Sequence, residues 1–454
     1  MTFSGTRVYW SNLLSVSVII AAGILFSLWN PGTDDMWWRI YSGKQITEKR
    51  QAGVKVISPT TQKEKNWINH SWLYDVVLSE VFQFSGIKGV TVLHFILLFI
   101  IILMAMLSTS DVFRTSGILL GLWLLMTHWA IRPYILGDFF LFFSMIAAHR
   151  IGTSGFPEKK FLKTTSGMFL FFLLWGNFHG SALGGFLVFS FLVFPFSSWR
   201  VSGHRYLILI LISIIAICIN PSGMKVFLQF IEYLTGQYSF LNHLEEWGPP
   251  NIYQMLISIF LLAMVFYFGN HRGEKVKMVI LTSALFIYSF GGRRHLPLFA
   301  IVSIFYLMDF KNKNVITKRI KYGAATISMS LFLVISTPVS DDRFYPKSLL
   351  EHVNVEDPTT RSRIFTTHSW GGAVLYHFNG VLRPFVDARN DCYDEETFIA
   401  YRKIYNLEND WVEIFNSYNP SMVVFPHHPL LKKLQQHGWK VVFSGKNGKV
   451  LKKN

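Results

Sequence analysis

Two adjacent carboxylates, Asp34 and Asp35, stand in a segment, 33–39, that also contains two tryptophans. At a membrane surface, neighbouring carboxylates repel each other and lose water, which prepares one of them to accept a proton as a general base. Tryptophans beside them are typical of membrane interfaces and of surfaces that contact sugars. The alternative is structural, with Thr33 or Asp34 capping an amphipathic helix that continues through Ile46.

Two histidines interrupt apolar surroundings. His70 lies in an aromatic segment, 67–73, at the start of an apolar run, and His179 breaks another apolar stretch. An imidazole at such a place can orient a carboxylate, contact a phosphate or bind a metal ion. Both histidines are candidate substrate-binding residues, but an interfacial aromatic belt explains His70, and packing polarity explains His179, about equally well.

Arginines stand at the ends of two further apolar runs. Arg132 precedes Pro133, and Arg293 and Arg294 precede His295. Guanidinium groups bind phosphate with two hydrogen bonds at once, which lysine does less well. The alternative is that these side chains reach toward lipid headgroups. Three cationic or titratable side chains in a row exceed what anchoring requires, so the sequence predicts that they bind substrate.

Three other polar segments favour structural roles. Glu245 and Glu246 form a second acidic pair, which a solvated loop explains better than an acceptor or metal site. The segment 387–391 resembles a turn at a strand end, and the adjacent His427 and His428 point apart and make a poor metal site. No cofactor is therefore required, although a divalent metal ion is possible.

The composition determines the environment in which these residues work. Of 454 residues, 51% are hydrophobic, 16% aromatic and only 15% charged, too few charges to cover soluble domains of this size. The net charge of +16 comes from short basic clusters between apolar runs. Clusters in this position determine membrane topology and do not form a nucleic-acid-binding surface. Two cysteines, Cys218 and Cys392, exclude a disulfide framework or a cysteine metal site.

A membrane helix needs about 20 apolar residues, and the sequence contains about eleven apolar runs near that length. They lie near 12–29, 89–107, 113–130, 133–149, 165–177, 180–197, 205–219, 251–268, 276–290, 295–309 and 322–337. With the N-terminus in the cytoplasm, the strongly basic short loops fall on the cytoplasmic side. The candidate site residues then all face the extracytoplasmic side.

After Pro338 the composition becomes that of a small soluble α/β module. The sequence therefore predicts a membrane domain, 1–337, whose first outer loop covers 30–71, and an extracytoplasmic α/β domain, 338–454. Within the latter it predicts strands at 381–386 and 421–425, helices at 395–404 and 430–437, and a closing hairpin from 439–443 to 449–451. Gly371-Gly372 alone is weak evidence for a phosphate-binding loop.

This arrangement resembles the GT-C class of membrane glycosyltransferases, which take sugars from polyprenyl-phosphate carriers. Short motifs also resemble a large bacterial family of multispan proteins that usually reads Asp-Pro-Asp-x-Trp-Trp-His in the first loop. Here Thr33 stands for the first Asp, Asp34 for the Pro and Arg39 for the His, so Asp35 is the matching carboxylate. The other motifs lie at 67–73, 132–133, 177–180, 220–223, 370–372 and 386–389.

The resemblance implies a polytopic α-helical protein of the bacterial inner membrane that transfers a sugar from a polyprenyl-phosphate donor to a glycan, lipid or protein acceptor. Asp35, with Asp34, would be catalytic, and Arg293, Arg294 and Arg132 would hold the leaving phosphate. Two alternatives remain open. One is a polysaccharide ligase or polymerase that uses Arg and His, and the other is a non-catalytic scaffold of an envelope glycan assembly complex.

Overall fold

The computed structural model describes residues 33–50, 54–57, 64–108, 111–128, 130–154, 158–195, 199–235, 246–270, 274–308, 344–354 and 362–453. The predicted spans near 12–29 and 322–337 lie outside the described residues. The chain forms two compact units. The helical unit comprises the described parts of 87–230 and 242–338, and the α/β unit comprises those of 32–86, 231–241 and 339–454.

Helices dominate the first two thirds of the chain, and most strands lie in the last third. In chain order, the helices and strands of the described residues are α1 (Asp34–Lys49), β1 (Val54–Ile57), β2 (Glu64–Trp67), α2 (Trp72–Leu107), α3 (Val112–Leu125), α4 (Tyr134–Ser154), α5 (Glu158–Phe178), α6 (Ala182–Val193), α7 (Trp199–Cys218), α8 (Lys225–Leu234), α9 (Ile252–Phe268), α10 (Lys275–Ser289), α11 (Leu296–Leu307), α12 (Lys347–Leu350), β3 (Ser362–Phe365), α13 (His368–His377), β4 (Leu382–Pro384), α14 (Glu395–Asn406), α15 (Trp411–Tyr418), β5 (Met422–Pro426), α16 (Pro429–Gln436), β6 (Trp439–Ser444) and β7 (Gly448–Lys453).

Each predicted apolar run from 89–107 to 295–309 coincides with a helix, so these predictions of helical structure are confirmed. Helix α8 was not predicted, because a short amphipathic helix contains no long apolar run. Among the described residues, two helices are long and apolar enough to cross a membrane, Trp72–Ala105 and Tyr134–Gly152. The first is interrupted at Gly86, whose φ of 63° is left-handed. The total of about eleven spans stays a prediction.

Apolar side chains remain exposed along α7. Leu207, Leu211 and Ile215 recur every four residues and are 53%, 57% and 47% exposed. That spacing puts them on one face of the helix. A contiguous apolar face of this kind is unfavourable in water, and it favours a lipid environment for the helical unit.

Helix α1 begins where its sequence supplies the chemistry for a helix start. The Thr33 hydroxyl accepts a hydrogen bond from the Asp35 amide at 3.1 Å, and Asp34 and Asp35 place negative charge in the first turn. The helix ends before Arg50, which adopts a left-handed conformation. The predicted capped helix is therefore confirmed.

The C-terminal sheet has the strand order β4-β3-β5-β7-β6. Strand β3 pairs in parallel with both β4 and β5, whereas β7 pairs antiparallel with β5 and β6. The predicted strands, helices and hairpin of this region are all present, with bounds shifted by a few residues. Strand β3 and helices α12, α13 and α15 were not predicted from the sequence.

Close packing explains the paired glycines of α13. A Cβ on Gly371 would lie 2.2 Å from the Val386 carbonyl oxygen, and one on Gly372 would lie 3.1 Å from the Trp38 amide nitrogen. The two glycines thus allow α13 to lie against both the chain after β4 and helix α1. Their role in the structure is close helix packing.

One aromatic-rich core holds the α/β unit together. Trp38 of α1 and Trp67 of β2 pack in the same buried cluster as Phe365, Phe385 and Trp439 of the C-terminal region. Residues 33–67 therefore contribute two large core side chains to this unit. The domain boundary at 338 stays a prediction.

Candidate functional site

Asp35 is bound into the interior at the start of α1. Its side chain accepts a hydrogen bond from the Trp38 indole at 3.1 Å and lies 4.0 Å from the Arg39 guanidinium. The residue is only 8% exposed. Asp34 is the more accessible of the pair, with 20% of its side chain exposed.

Arg39 joins α1 to the start of α2 through buried charges. Its guanidinium donates to the Asp75 carboxylate at 2.8 Å, and the other oxygen of Asp75 accepts from the Asn69 amide at 2.8 Å. Burial lowers the pKa of Arg39, but Asp75 and Asp35 more than offset this and raise it above its usual value. Arg39 is therefore a permanent cation beside Asp35.

His368 faces Asp34 from the first turn of α13. Its Nδ1 lies 3.9 Å from the Asp34 carboxylate, and its Nε2 is 2.7 Å from the side-chain oxygen of Asn390. The backbone amide of His368 donates to the Tyr401 hydroxyl at 3.1 Å. His368 and Asn390 follow the neighbouring parallel strands β3 and β4, whose carboxyl ends lie at one edge of the sheet, a common position for ligand sites.

His70 belongs to the same chain of contacts. Its Nδ1 lies 4.0 Å from the carboxylate of Asp391, which also accepts a hydrogen bond from the Trp67 indole at 2.9 Å. Asp391 is the neighbour of Asn390. The α/β unit thus brings together both predicted carboxylates, His70 and the unpredicted His368.

The turn after β4 confirms its structural interpretation. Arg389 donates two hydrogen bonds to Asp387, at 2.9 and 2.6 Å, and the Tyr393 hydroxyl donates a third at 2.6 Å. Burial alone would raise the pKa of Asp387, but these partners hold it below its usual value. His428 likewise caps α16, accepting from the Leu430 amide at 3.2 Å.

The helical unit contains the predicted arginines. Arg132 forms an ion pair with Glu246, which lies in a turn with 31% of its side chain exposed. Glu245 lies outside the described residues. The Arg294 guanidinium lies 3.8 Å above the Trp247 ring, and its backbone amide donates to the Glu246 carbonyl at 3.1 Å. Arg132 and Arg294 are therefore held by the same short loop.

Arg293 and His295 make more local contacts. The side chain of Arg293 donates to the Pro249 carbonyl at 3.2 Å, and its backbone amide donates to Gly248. The His295 ring stacks on Tyr288 with the ring centres 4.1 Å apart. Neither contact excludes or requires a bound ligand.

Two histidines flank Tyr134 at the start of α4. The His128 ring stacks on Tyr134 at 4.7 Å, and the His179 ring meets it edge-on at 5.3 Å. His128 also bonds to Asp138 at 3.1 Å and contacts the Arg294 carbonyl at 3.2 Å, while Nδ1 of His179 bonds to the Ser181 hydroxyl at 2.7 Å. The Tyr134 ring also lies 5.7 Å from the Arg294 guanidinium. Tyr134 therefore contacts both histidines and Arg294.

Several residues of these clusters were missed by the sequence analysis, namely His128, Asp138, His368 and Asn390. Each makes a hydrogen bond to a partner in another element. Only His128 and Asp138, ten residues apart, are close enough in sequence to have given a local signal. Within the described part of the chain, no three His, Cys, Asp or Glu side chains are grouped so as to hold a metal ion.

Comparisons with known proteins bear on the fold. No protein-family model matches the sequence, and no curated protein matches it significantly. The fold resembles the crystal structure of the apo oligosaccharyltransferase of Archaeoglobus fulgidus, with a TM-score of 0.50 at 11% identity over 92% of this chain and 70% of that one. The same enzyme tethered through a disulfide to an acceptor peptide with the NVT sequon gives 0.51 at 11% identity, over 92% and 69%.

At this identity the similarity shows the fold alone. It supports the GT-C-like architecture that the sequence resemblance implied. The bacterial multispan family stays a prediction.

Proposed function

We propose that this chain is an integral-membrane glycosyltransferase that moves a sugar from a polyprenyl-phosphate donor to an extracytoplasmic acceptor. The observation that carries the proposal is the acidic pair at the start of α1, fixed by Arg39 and faced by His368. Carboxylates held in place beside a histidine suit the activation of an acceptor hydroxyl. The fold shared with an oligosaccharyltransferase supports the same reaction class by analogy.

The donor phosphate is assigned to the arginines of the helical unit. When the bond from the sugar to the phosphate breaks, its electron pair stays on the phosphate oxygen, and guanidinium groups stabilise this growing charge. Arg294, stacked on Trp247, and Arg132, paired with Glu246, are the proposed phosphate ligands, with Arg293 nearby in sequence. The phosphate would replace Glu246 as the partner of Arg132.

The acceptor is assigned to the acidic pair. One carboxylate takes the hydroxyl proton while the acceptor oxygen attacks the anomeric carbon, which inverts the configuration of the sugar. The sequence motif favours Asp35 as this base.

The proposed setting is the bacterial inner membrane. The N-terminus lies in the cytoplasm, the chain crosses the membrane several times, and the C-terminal α/β domain is extracytoplasmic. The exposed apolar face of α7 and the two long apolar helices support this setting. The acceptor can be a glycan, a lipid or a protein.

A lipid-linked polysaccharide ligase or polymerase is the second candidate, favoured by the cluster of Arg294, His128 and His179 around Tyr134. In that case the arginines and histidines carry the reaction and the acidic pair only caps α1. A non-catalytic scaffold of an envelope glycan assembly complex is the third, and it would require neither group.

Transfer assays with the full chain in lipid vesicles test the proposal, with labelled polyprenyl-phosphate sugars as donors. We expect Arg294→Ala to lower kcat/KM by about 10²-fold, since one preorganised donor to a developing charge contributes roughly that factor. The matched control is Arg205→Ala. This variant removes the 3.2 Å ion pair between Arg205 and the exposed Glu158 of α5. Equal activities of the two variants would contradict the phosphate assignment, and an inactive wild type would favour the scaffold.

A further inference from the structure

We infer that His368, held by Asn390, receives the acceptor proton through Asp34 and so completes the acidic site. This inference rests on the proposed function, adds His368 and Asn390 to it, and moves the base from Asp35, which the sequence motif favours, to Asp34. It also assigns different roles to the two carboxylates, with Asp34 as the base and Asp35 as a positioning residue.

The contact between His368 and Asn390 fixes the state of the imidazole. An amide oxygen only accepts hydrogen bonds, so the ring nitrogen 2.7 Å from the Asn390 oxygen, Nε2, carries a proton. In the neutral ring the other nitrogen, Nδ1, is then an acceptor with a lone pair. That lone pair lies on the side of Asp34.

Two acceptors that face each other can share a proton. Nδ1 of His368 and the Asp34 carboxylate are 3.9 Å apart, and both side chains are mostly enclosed, at 15% and 20% exposed. A proton that reaches Asp34 can pass to Nδ1 once the pair tightens or one water joins it. The resulting imidazolium is stabilised by the carboxylate next to it.

The Asp34 carboxylate accepts a hydrogen bond from the Thr33 hydroxyl at 3.1 Å, whereas Asp35 is less suited to this role because it lies beside a buried cation. One oxygen accepts from the Trp38 indole and the other faces Arg39, a cation that favours the ionised carboxylate. A carboxylate held in this way is a weak base. It is well placed to fix the first turn of α1, and hence Asp34.

The transfer balances in atoms and electrons. The acceptor O–H bond breaks and its proton moves to Asp34, while the acceptor oxygen forms the new bond to the anomeric carbon. The carbon–oxygen bond to the phosphate breaks, and polyprenyl phosphate leaves with the electron pair. The proton passes from Asp34 to Nδ1 of His368 and is lost to water before the next turnover.

The experiment compares His368→Ala with wild type in the vesicle assay, with and without added imidazole. We expect kcat to fall about 10²-fold with donor KM changed by less than about twofold, because His368 acts on the proton and not on the donor. Imidazole should restore much of the lost rate by entering the space left by the ring. His377→Ala, at the other end of α13, is the matched control. It should show neither the fall in kcat nor an effect of imidazole.

Two further variants keep the test decisive. His368→Gln retains a donor toward Asn390 but has no basic nitrogen, so it should fold as wild type, lose the same rate and show no rescue. Adding His368→Ala to Asp34→Asn should cost little more than Asp34→Asn alone, since the two act in series. If the wild type is active, two results would overturn this inference and leave the proposed function standing. One is an undiminished kcat in His368→Gln, and the other is the absence of imidazole rescue in His368→Ala. An inactive wild type overturns the proposed function as well.

Discussion

Residues at the start of α1 combine two tasks, since the carboxylates offered for chemistry are also fixed by buried charge. Arg39 lies between Asp35 and Asp75 and is 6% exposed. Removing one member of a buried pair leaves the other charged and desolvated. Function and stability are therefore coupled at this point.

We predict that Arg39→Met destabilises the protein by about 3–5 kcal/mol, because Asp75 then remains buried without its cation. Denaturant unfolding of the full chain in detergent measures the change. The control is Lys44→Met on the same helix, whose exposed contact with Glu48 is 3.9 Å long and should cost less than about 1 kcal/mol. Equal losses would show that the Arg39 network contributes no more than a surface pair.

A second prediction concerns the buried pair of Asp387 and Arg389. The folded state holds the pKa of Asp387 below its usual value, so its contribution is present above the unfolded pKa of about 3.9 and is lost as the pH falls below that value. Asp387→Asn should therefore unfold at a lower temperature than wild type at pH 6, and the difference should shrink near pH 3. Lys403 also lowers the pKa of Asp410, but solvent screens this exposed pair, so Asp410→Asn serves as the comparison and should show a much smaller difference. A difference that does not depend on pH would contradict the assignment.

Residue types could be predicted from sequence where the signal is local. Asp34 and Asp35 stand together in an aromatic segment, and the three side chains from Arg293 onward adjoin in the chain. His368 gave no such signal, because its partners, Asp34 and Asn390, come from two other parts of the chain. Only the pairing of β3 with β4 and the packing of α1 on α13 bring them together.

At the scale of elements, hydropathy located the helices of the helical unit because each long apolar run needs a continuous set of backbone hydrogen bonds. Helix α13 escaped the same reasoning. Its Gly371-Gly372 pair is typical of a loop, yet tertiary packing requires small residues there and overrides helix propensity. Sequence position alone does not distinguish a flexible glycine from a closely packed one.

Packing at Gly371 gives a prediction for the element. Gly371→Ala should destabilise the protein by about 1–3 kcal/mol and lower activity, because its Cβ would meet backbone atoms of Val386 and Asp387 that cannot move independently. Gly167→Ala on α5 is the control, since its Cβ would have no neighbour within 4 Å. That change should be neutral or slightly stabilising. Thermal unfolding compares the two, and a harmless Gly371→Ala would refute the close approach of α13.

For the whole molecule, the charge pattern predicts which regions share a side of the membrane. In a background with Cys218 and Cys392 replaced by Ser, a membrane-impermeant thiol reagent should label a cysteine placed at the exposed Lys446 in intact cells. It should miss one placed at the exposed Lys160 until the membrane is opened. The opposite labelling would put the α/β domain in the cytoplasm and contradict the proposed donor.

The central claim is glycosyl transfer with the acidic pair as its basic side. The most direct measurement is single-turnover product formation by purified full chain in vesicles loaded with labelled polyprenyl-phosphate sugar, with the anomeric configuration of the product determined by NMR. We predict transfer with inversion by the wild type, and a fall of about 10²-fold or more in the variant that combines Asp34→Asn with Asp35→Asn, since both lose basicity while keeping shape. Undiminished transfer by that variant, in a protein that folds as wild type, would contradict the claim.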